Sequence, residues 1–228
     1  MKSYFFAENL RQSFESIDID ISLSAEKNTM TSIVGPSGSG KSTLLRLIAG
    51  LEKGKTDSGK KIVLDGEDIT DKAPAKRGIG MVFQNHALFE HMTVADNVAY
   101  GLISRGMKKK EARKLAGEFL TEFGLEGFEK RMPSTLSGGE AQRVSLARSL
   151  IIKPKLVLFD EPLSSLDAPL RYRLSVLIRE LQKKFGFTGI MVTHDIEEAK
   201  RISDKIILIK QGKLTWQGAP EDFSEEMI

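Results

Sequence analysis

The sequence predicts an α/β fold with a mainly parallel sheet, and three observations carry that reading. Strand-like and helix-like segments alternate along most of the chain, the pattern of a parallel sheet flanked by helices. Leu156 to Phe159 is an unbroken apolar run, as expected of a strand covered on both faces. A glycine-rich segment, Gly35 to Gly40, lies between a strand-like run and a helix-like one.

Near the amino end, Tyr4 to Glu8, Ile17 to Leu23 and Ile62 to Leu64 read as strands, with Asp65-Gly66 supplying a turn. They predict a small β-rich subdomain. Thr29 to Val34 reads as a short buried strand and Leu44 to Ala49 as an apolar helix. Ile79 to Phe83 is a further strand, ending at Gln84. From about Thr93 to Phe128 the pattern turns helical, and Lys108 to Phe123 carries apolar residues near helical spacing, so a helical lobe is expected to interrupt the sheet. Pro133 and Gly138-Gly139 punctuate the return. Lys155 to Asp160, Gly189 to Thr193 and Lys205 to Ile209 resume the strand pattern, with a long helix from about Pro169 to Phe185. The chain shows no internal repeat and no low-complexity tract.

Composition narrows the function classes. The 228 residues suffice for one substantial core with a smaller lobe. No apolar run reaches the roughly 18 residues a membrane span needs, and Met1 to Leu10 lacks the apolar stretch of a secretory signal, so a cytoplasmic location is expected. The absence of cysteine excludes disulfides, thiolate metal sites and cysteine nucleophiles. A net charge of +3 is small, and Lys108-Lys109-Lys110 reads as the solvated start of a helix, so no nucleic-acid partner is expected.

Two motifs carry chemistry on their own residues. Gly35-Pro36-Ser37-Gly38-Ser39-Gly40-Lys41-Ser42-Thr43 has the spacing of a phosphate-binding loop and sits at a strand-to-helix turn, where such a loop must sit. Its glycines let the backbone bend, its N–H groups can surround phosphate oxygens, Lys41 brings a point charge to the terminal phosphates, and Ser42 offers a hydroxyl to Mg²⁺. The apolar strand Leu156 to Phe159 runs into Asp160-Glu161. At the carboxyl end of a parallel strand, Asp160 can hold the Mg²⁺ shell while Glu161 points toward the terminal phosphate and water. Leu136-Ser137-Gly138-Gly139-Glu140, followed by Gln142-Arg143, adds a serine-capped helix start that can itself bind an anion.

In the order of these motifs the sequence resembles the nucleotide-binding subunit of ATP-binding cassette (ABC) transporters, over nearly the whole chain. The resemblance implies a P-loop ATPase core with an antiparallel β subdomain at the amino end and an inserted helical subdomain. Approximate bounds are 1–92 and 150–228 for the core and 93–149 for the helical part with its signature. It implies ATP as substrate with Mg²⁺, and a head-to-tail dimer in which Ser137, Gly138, Gly139 and Glu140 of one copy meet the terminal phosphate held by the other. Gln84 looks like the glutamine that touches Mg²⁺ or the attacking water. Asp167, in Ser164-Ser165-Leu166-Asp167, looks like the dimer-interface loop, and His194 like the histidine that contacts the terminal phosphate. With Lys41, Glu161 and Gln84, His194 completes the implied catalytic set. Phe14 is the candidate to stack on adenine, while His86 and His91 are expected at the surface or at a partner contact.

Arg77 to Gln84, Ala87-Leu88-Phe89, His91 to Val94, Asn97-Val98 and Gly101-Leu102 are similar to the ATPases of bacterial importers for sugars, oxyanions, polyamines or metals. That likeness implies a transmembrane permease whose cytoplasmic helix docks in a groove, an extracytoplasmic substrate-binding protein, and a peripheral place on the cytoplasmic side of the inner membrane. The chain ends soon after Trp216 to Pro220, so no carboxyl-terminal regulatory domain is expected. Cargo stays open. The other classes are an exporter or lipid-extraction ATPase, a soluble repair or translation ATPase, and a phosphotransferase, which has no need of the Leu136 to Glu140 turn.

Overall fold

A computed structural model describes residues 4–13, 17–55 and 59–228. Among them the chain order is β1 (Phe5–Ser13), β2 (Asp18–Ala25), β3 (Met30–Val34), α1 (Lys41–Ala49), β4 (Lys61–Leu64), β5 (Glu67–Asp68), β6 (Ile79–Val82), α2 (Val94–Ser104), α3 (Lys109–Leu120), α4 (Gly138–Leu150), β7 (Leu156–Asp160), α5 (Ala168–Phe185), β8 (Thr188–Val192), α6 (Ile196–Ile202), β9 (Lys205–Lys210) and β10 (Lys213–Gly218). They divide into two compact units. The first comprises Met1–Met81, Lys155–Glu161 and Ser175–Ile228, the second Val82–Pro154 and Pro162–Leu174.

The first unit holds two sheets. The larger has the order β10-β9-β3-β8-β7-β6, with β3 parallel to β8 and β9, β7 parallel to β8, and β10 antiparallel at the edge. Every residue of β3, β7 and β8 is buried, which explains why these strands carry no polar alternation. The smaller sheet, β2-β1-β4-β5, is antiparallel. In β2 alternate residues are buried, including Ile19, Ile21 and Leu23, so this sheet covers the core with one face. Leu44, Leu45, Leu47 and Ile48 of α1 join that face to Leu158, Ile190, Val192 and Ile207 of the larger sheet in one apolar cluster.

Three elements differ from the sequence expectation. β1 runs on to Ser13 rather than stopping at Glu8, because the ladder slips between Ala7 and Leu10. Asn9 takes φ 53° there, donates from its backbone amide to Ser22 Oγ at 3.0 Å, and donates from Nδ2 to the Gly59 carbonyl at 3.2 Å. β10 follows β9 through Gln211-Gly212, both at positive φ, and its half-exposed edge position leaves little apolar signal. α6 is short and starts at Asp195, whose carboxylate accepts from the Glu198 amide at 2.9 Å.

In the second unit α2 packs against α3 and α4. Thr93 caps α2, and Asp96 in its first turn accepts from Nε and Nη2 of Arg113 on α3, at 2.7 and 2.5 Å. Asn97 is fully buried and fully used: Nδ2 donates to the carbonyls of Phe89, Met92 and Thr93, and Oδ1 accepts from the Phe89 amide. One side chain thereby organises the loop ahead of α2.

Candidate functional site

β3 delivers the chain to Gly35, where φ is +148° and a Cβ would come within 2.0 Å of the Ile209 carbonyl oxygen on β9. Only glycine fits so close to a neighbouring strand. At Gly40 φ is +95°, and a Cβ would meet Ile19 Cδ1 at 2.7 Å. Gly40 precedes α1 without any side-chain cap, so the first amides of the helix keep their donors for something other than protein side chains.

The loop and helix start open on a cleft of about 360 Å³ whose lining includes Ile17, Ser37, Gly38, Lys41, Ser42 and Glu161. Lys41 is 6% exposed, and its Nζ donates to the carbonyls of Gly35 and Pro36, each at 2.8 Å. Burial pushes its pKa down, opposed by the carboxylates of Glu161 and Asp160. A second cleft of about 1000 Å³ shares Ile17, Ser37 and Gly38 and is bounded also by Lys210 and Lys213. Ile17 lines both, a placement that its strand-like sequence context did not reveal.

Asp160 ends β7, 7% exposed. Glu161 takes φ 46°, a left-handed conformation costing on the order of 1 to 3 kcal/mol for a residue with a side chain. Its amide donates to the Val192 carbonyl at 3.1 Å, which holds the turn against the end of β8. His194, two residues past β8, places Nδ1 3.1 Å from Glu161 Oε2. Thr193 Oγ1 bonds Glu198 at 3.2 Å and accepts from the Asp195 amide at 3.1 Å, fixing the backbone on either side of His194.

The first unit therefore brings together Gly35 to Thr43, Asp160, Glu161 and His194. Phe14 lies outside the described residues. Gln84, Ser137 to Glu140 and Asp167 belong to the second unit. There, Gln84 is exposed in the turn after β6. Ser137 and Glu140 form a reciprocal capping box at the start of α4: Glu140 Oε2 accepts from the Ser137 amide at 2.7 Å, and Ser137 Oγ from the Glu140 amide at 3.4 Å. The bond from the Ser137 backbone and then that from its hydroxyl hold the Glu140 carboxyl below its usual range. Asp167 caps α5 by accepting from the Leu170 amide at 3.0 Å. His91 is exposed, whereas His86 is half-buried with Nδ1 2.5 Å from Gln142 Oε1, a contact that the sequence offered no means to read.

Strand, glycine turn and helix around a buried lysine, next to a parallel strand tipped with carboxylates, define a P-loop nucleotide-binding protein. The expected α/β class stands. Within that class the chain belongs to the ABC transporter family, whose model matches residues 19–164. It is 49% identical over 220 residues to an Agrobacterium fabrum protein named Fe(3+) ions import ATP-binding protein FbpC, covering 96% of this chain and 62% of that protein. The Escherichia coli O157:H7 protein of the same name is 45% identical over 223 residues, covering 97% of this chain and 63% of its own length. This chain thus spans less than two thirds of the curated relatives it matches. Among solved structures, cbiO1 from Clostridium perfringens, described as part of the ABC transporter complex cbiONQ, matches with a TM-score of 0.85 at 29% identity, over 99% of this chain and 92% of that one.

Proposed function

We propose that this chain binds and hydrolyses ATP to energise import through a membrane ABC transporter, with ferric iron as the cargo. The observation that carries the ATPase reading is the cleft in which Lys41 and the loop amides lie with Glu161, itself in contact with His194. The cargo rests on the names of the relatives at 45 to 49% identity.

Several features fit a bound nucleotide. Ser39 Oγ is buried in the loop with no hydrogen-bond partner among the described residues, and the positions of Gly35 and Gly40 leave no room for a Cβ. Ser42 and Asp160 supply the hard oxygen donors that Mg²⁺ takes. Among the described residues no group of three or more His, Cys, Asp or Glu could cage a metal, which fits an ion held mainly by phosphate and water. Bound there, Mg²⁺ would offset the negative charge of the phosphates.

Lys41 exchanges its two carbonyl contacts for phosphate oxygens, and the amides of the loop and of α1 neutralise the transferred charge. Glu161 orients or deprotonates the attacking water, and His194 holds that carboxylate while reaching the terminal phosphate. Gln84 is assigned to Mg²⁺ or the water. Ser137 to Glu140 are assigned to the partner copy's nucleotide, and Asp167 to the dimer interface. Each ATP then bridges two copies, so binding favours closure and hydrolysis releases it, a shift that permease helices can read. The first unit serves as ATPase core and the second as the helical part. The copies sit on the cytoplasmic face of the inner membrane with a permease pair and an extracytoplasmic binding protein. In keeping with a peripheral subunit, no helix among the described residues is long and apolar enough to cross a membrane.

The test is uptake of radioactive ferric iron in cells whose own copy is replaced by Glu161→Gln. Loss of uptake with the permease still present supports the proposal, and uptake equal to the parent's rejects it.

A further inference from the structure

Two consecutive residues of the second unit, His86 and Ala87, hold φ of 58° and 48°. Neither is glycine, so their neighbours must impose that conformation. The neighbours come from α4. The His86 carbonyl accepts from Ser145 Oγ at 3.0 Å and from Arg148 Nη2 at 2.8 Å, and the Ala87 carbonyl accepts from Arg148 Nη1 at 2.6 Å. His86 Nδ1 meets Gln142 Oε1, as described above. Gln142 and Ser145 are fully buried, and burial holds the Arg148 guanidinium below its usual pKa. Gln142, Ser145 and Arg148 recur every three residues and so share one face of the helix.

We infer that Gln142, Ser145 and Arg148 are positioning residues: they hold the turn that carries Gln84, and α4 thereby ties Gln84 to the Ser137 to Glu140 turn at the helix's own start. This rests on the functional reading above, in which Gln84 serves Mg²⁺ or the attacking water at its own copy's ATP and Ser137 to Glu140 meet the ATP held by the partner copy. α4 is 13 residues long, about 20 Å at 1.5 Å per residue, and transmits displacement as a rod. The guanidinium grips two adjacent carbonyls with a planar fork, which fixes orientation as well as distance. Without that grip the two left-handed residues relax toward negative φ, and the backbone at Gln84 moves with them. Engagement of the Ser137 turn and placement of Gln84 are therefore linked within one copy.

The chain contains no cysteine, so Asn85→Cys, exposed beside Gln84, carries a single nitroxide that reports on this turn alone. In the full chain, Arg148→Met is expected to raise nitroxide mobility while ATP affinity stays within about twofold of the parent's. The kcat for phosphate release, measured without the label, falls about tenfold with KM unchanged. Gln84→Ala added to Arg148→Met causes no further loss, because both remove the same placed group. An unchanged nitroxide spectrum, or losses that multiply in the double variant, overturns the inference. Should Arg148→Met fail to fold, Ser145→Ala is judged by the same two readouts. A parent that hydrolyses no ATP rejects the functional reading instead, and the nitroxide comparison then decides by itself whether α4 holds the turn.

Discussion

Nδ1 of His194 lies 3.1 Å from Oε2 of Glu161 across a separation of 33 residues. The contact follows from sheet order: β7 and β8 are parallel neighbours, and Asp160 pairs with Val192, so the residues that follow both strands emerge at one edge. Glu161→Gln keeps the shape and removes the proposed base. Phosphate release is expected to fall by at least about 100-fold, the usual share of general base catalysis, with ATP binding retained. His194→Ala should fall less, because the carboxylate loses only its neighbour. Single-turnover measurement of both variants checks the order.

Lys41 is held by two carbonyl oxygens in a nearly closed setting. Lys41→Ala removes the cation proposed to meet the terminal phosphates, and a calorimetric titration with ATP is expected to show no binding heat at concentrations that saturate the parent. Retained affinity would place the phosphates elsewhere.

Gly35→Ala brings a methyl group into the Ile209 carbonyl. The turn must shift or strain, at roughly 1 to 3 kcal/mol from the backbone conformation alone. A lower urea midpoint together with weakened ATP binding is the expected result.

Ser137→Arg puts a long cation at the proposed trans site. On the Glu161→Gln background this variant is expected to bind ATP as a monomer and not to dimerise. Light scattering that still finds an ATP-dependent dimer would refute that role for Ser137.

The hydrogen bond from Arg113 holds the Asp96 carboxyl below its usual pKa. A carboxyl depressed in the folded state adds stability that is present above its unfolded pKa, about 3.9, and is lost as pH falls through the lower folded value. Asp96→Asn should therefore flatten the fall of melting temperature below about pH 4, relative to the parent. Parallel curves for the two proteins would remove Asp96 from acid unfolding.

Gly35 to Thr43 and Leu156 to Glu161 are legible in the sequence because their meaning is local. Glycine at a strand-to-helix turn and carboxylates at the end of an apolar strand are readable within about ten residues. A strand over Tyr4 to Glu8 falls short of Ser13, because the ladder with β2 slips after Ala7 and resumes at Leu10, which only the pairing shows. β10 carries little sequence signal because an edge strand needs apolar residues on only part of one face.

Residue order and spacing in this chain sufficed for the phosphate loop, the acid-tipped strand and the capping serine, since each depends on backbone conformations a few residues long. Meetings between remote residues needed the folded chain: Glu161 with His194, Ile17 at the cleft, and Arg148 on the carbonyls of His86 and Ala87. Those contacts follow from strand order and helix packing, which bury whole faces against one another and leave no trace in the spacing of any single segment.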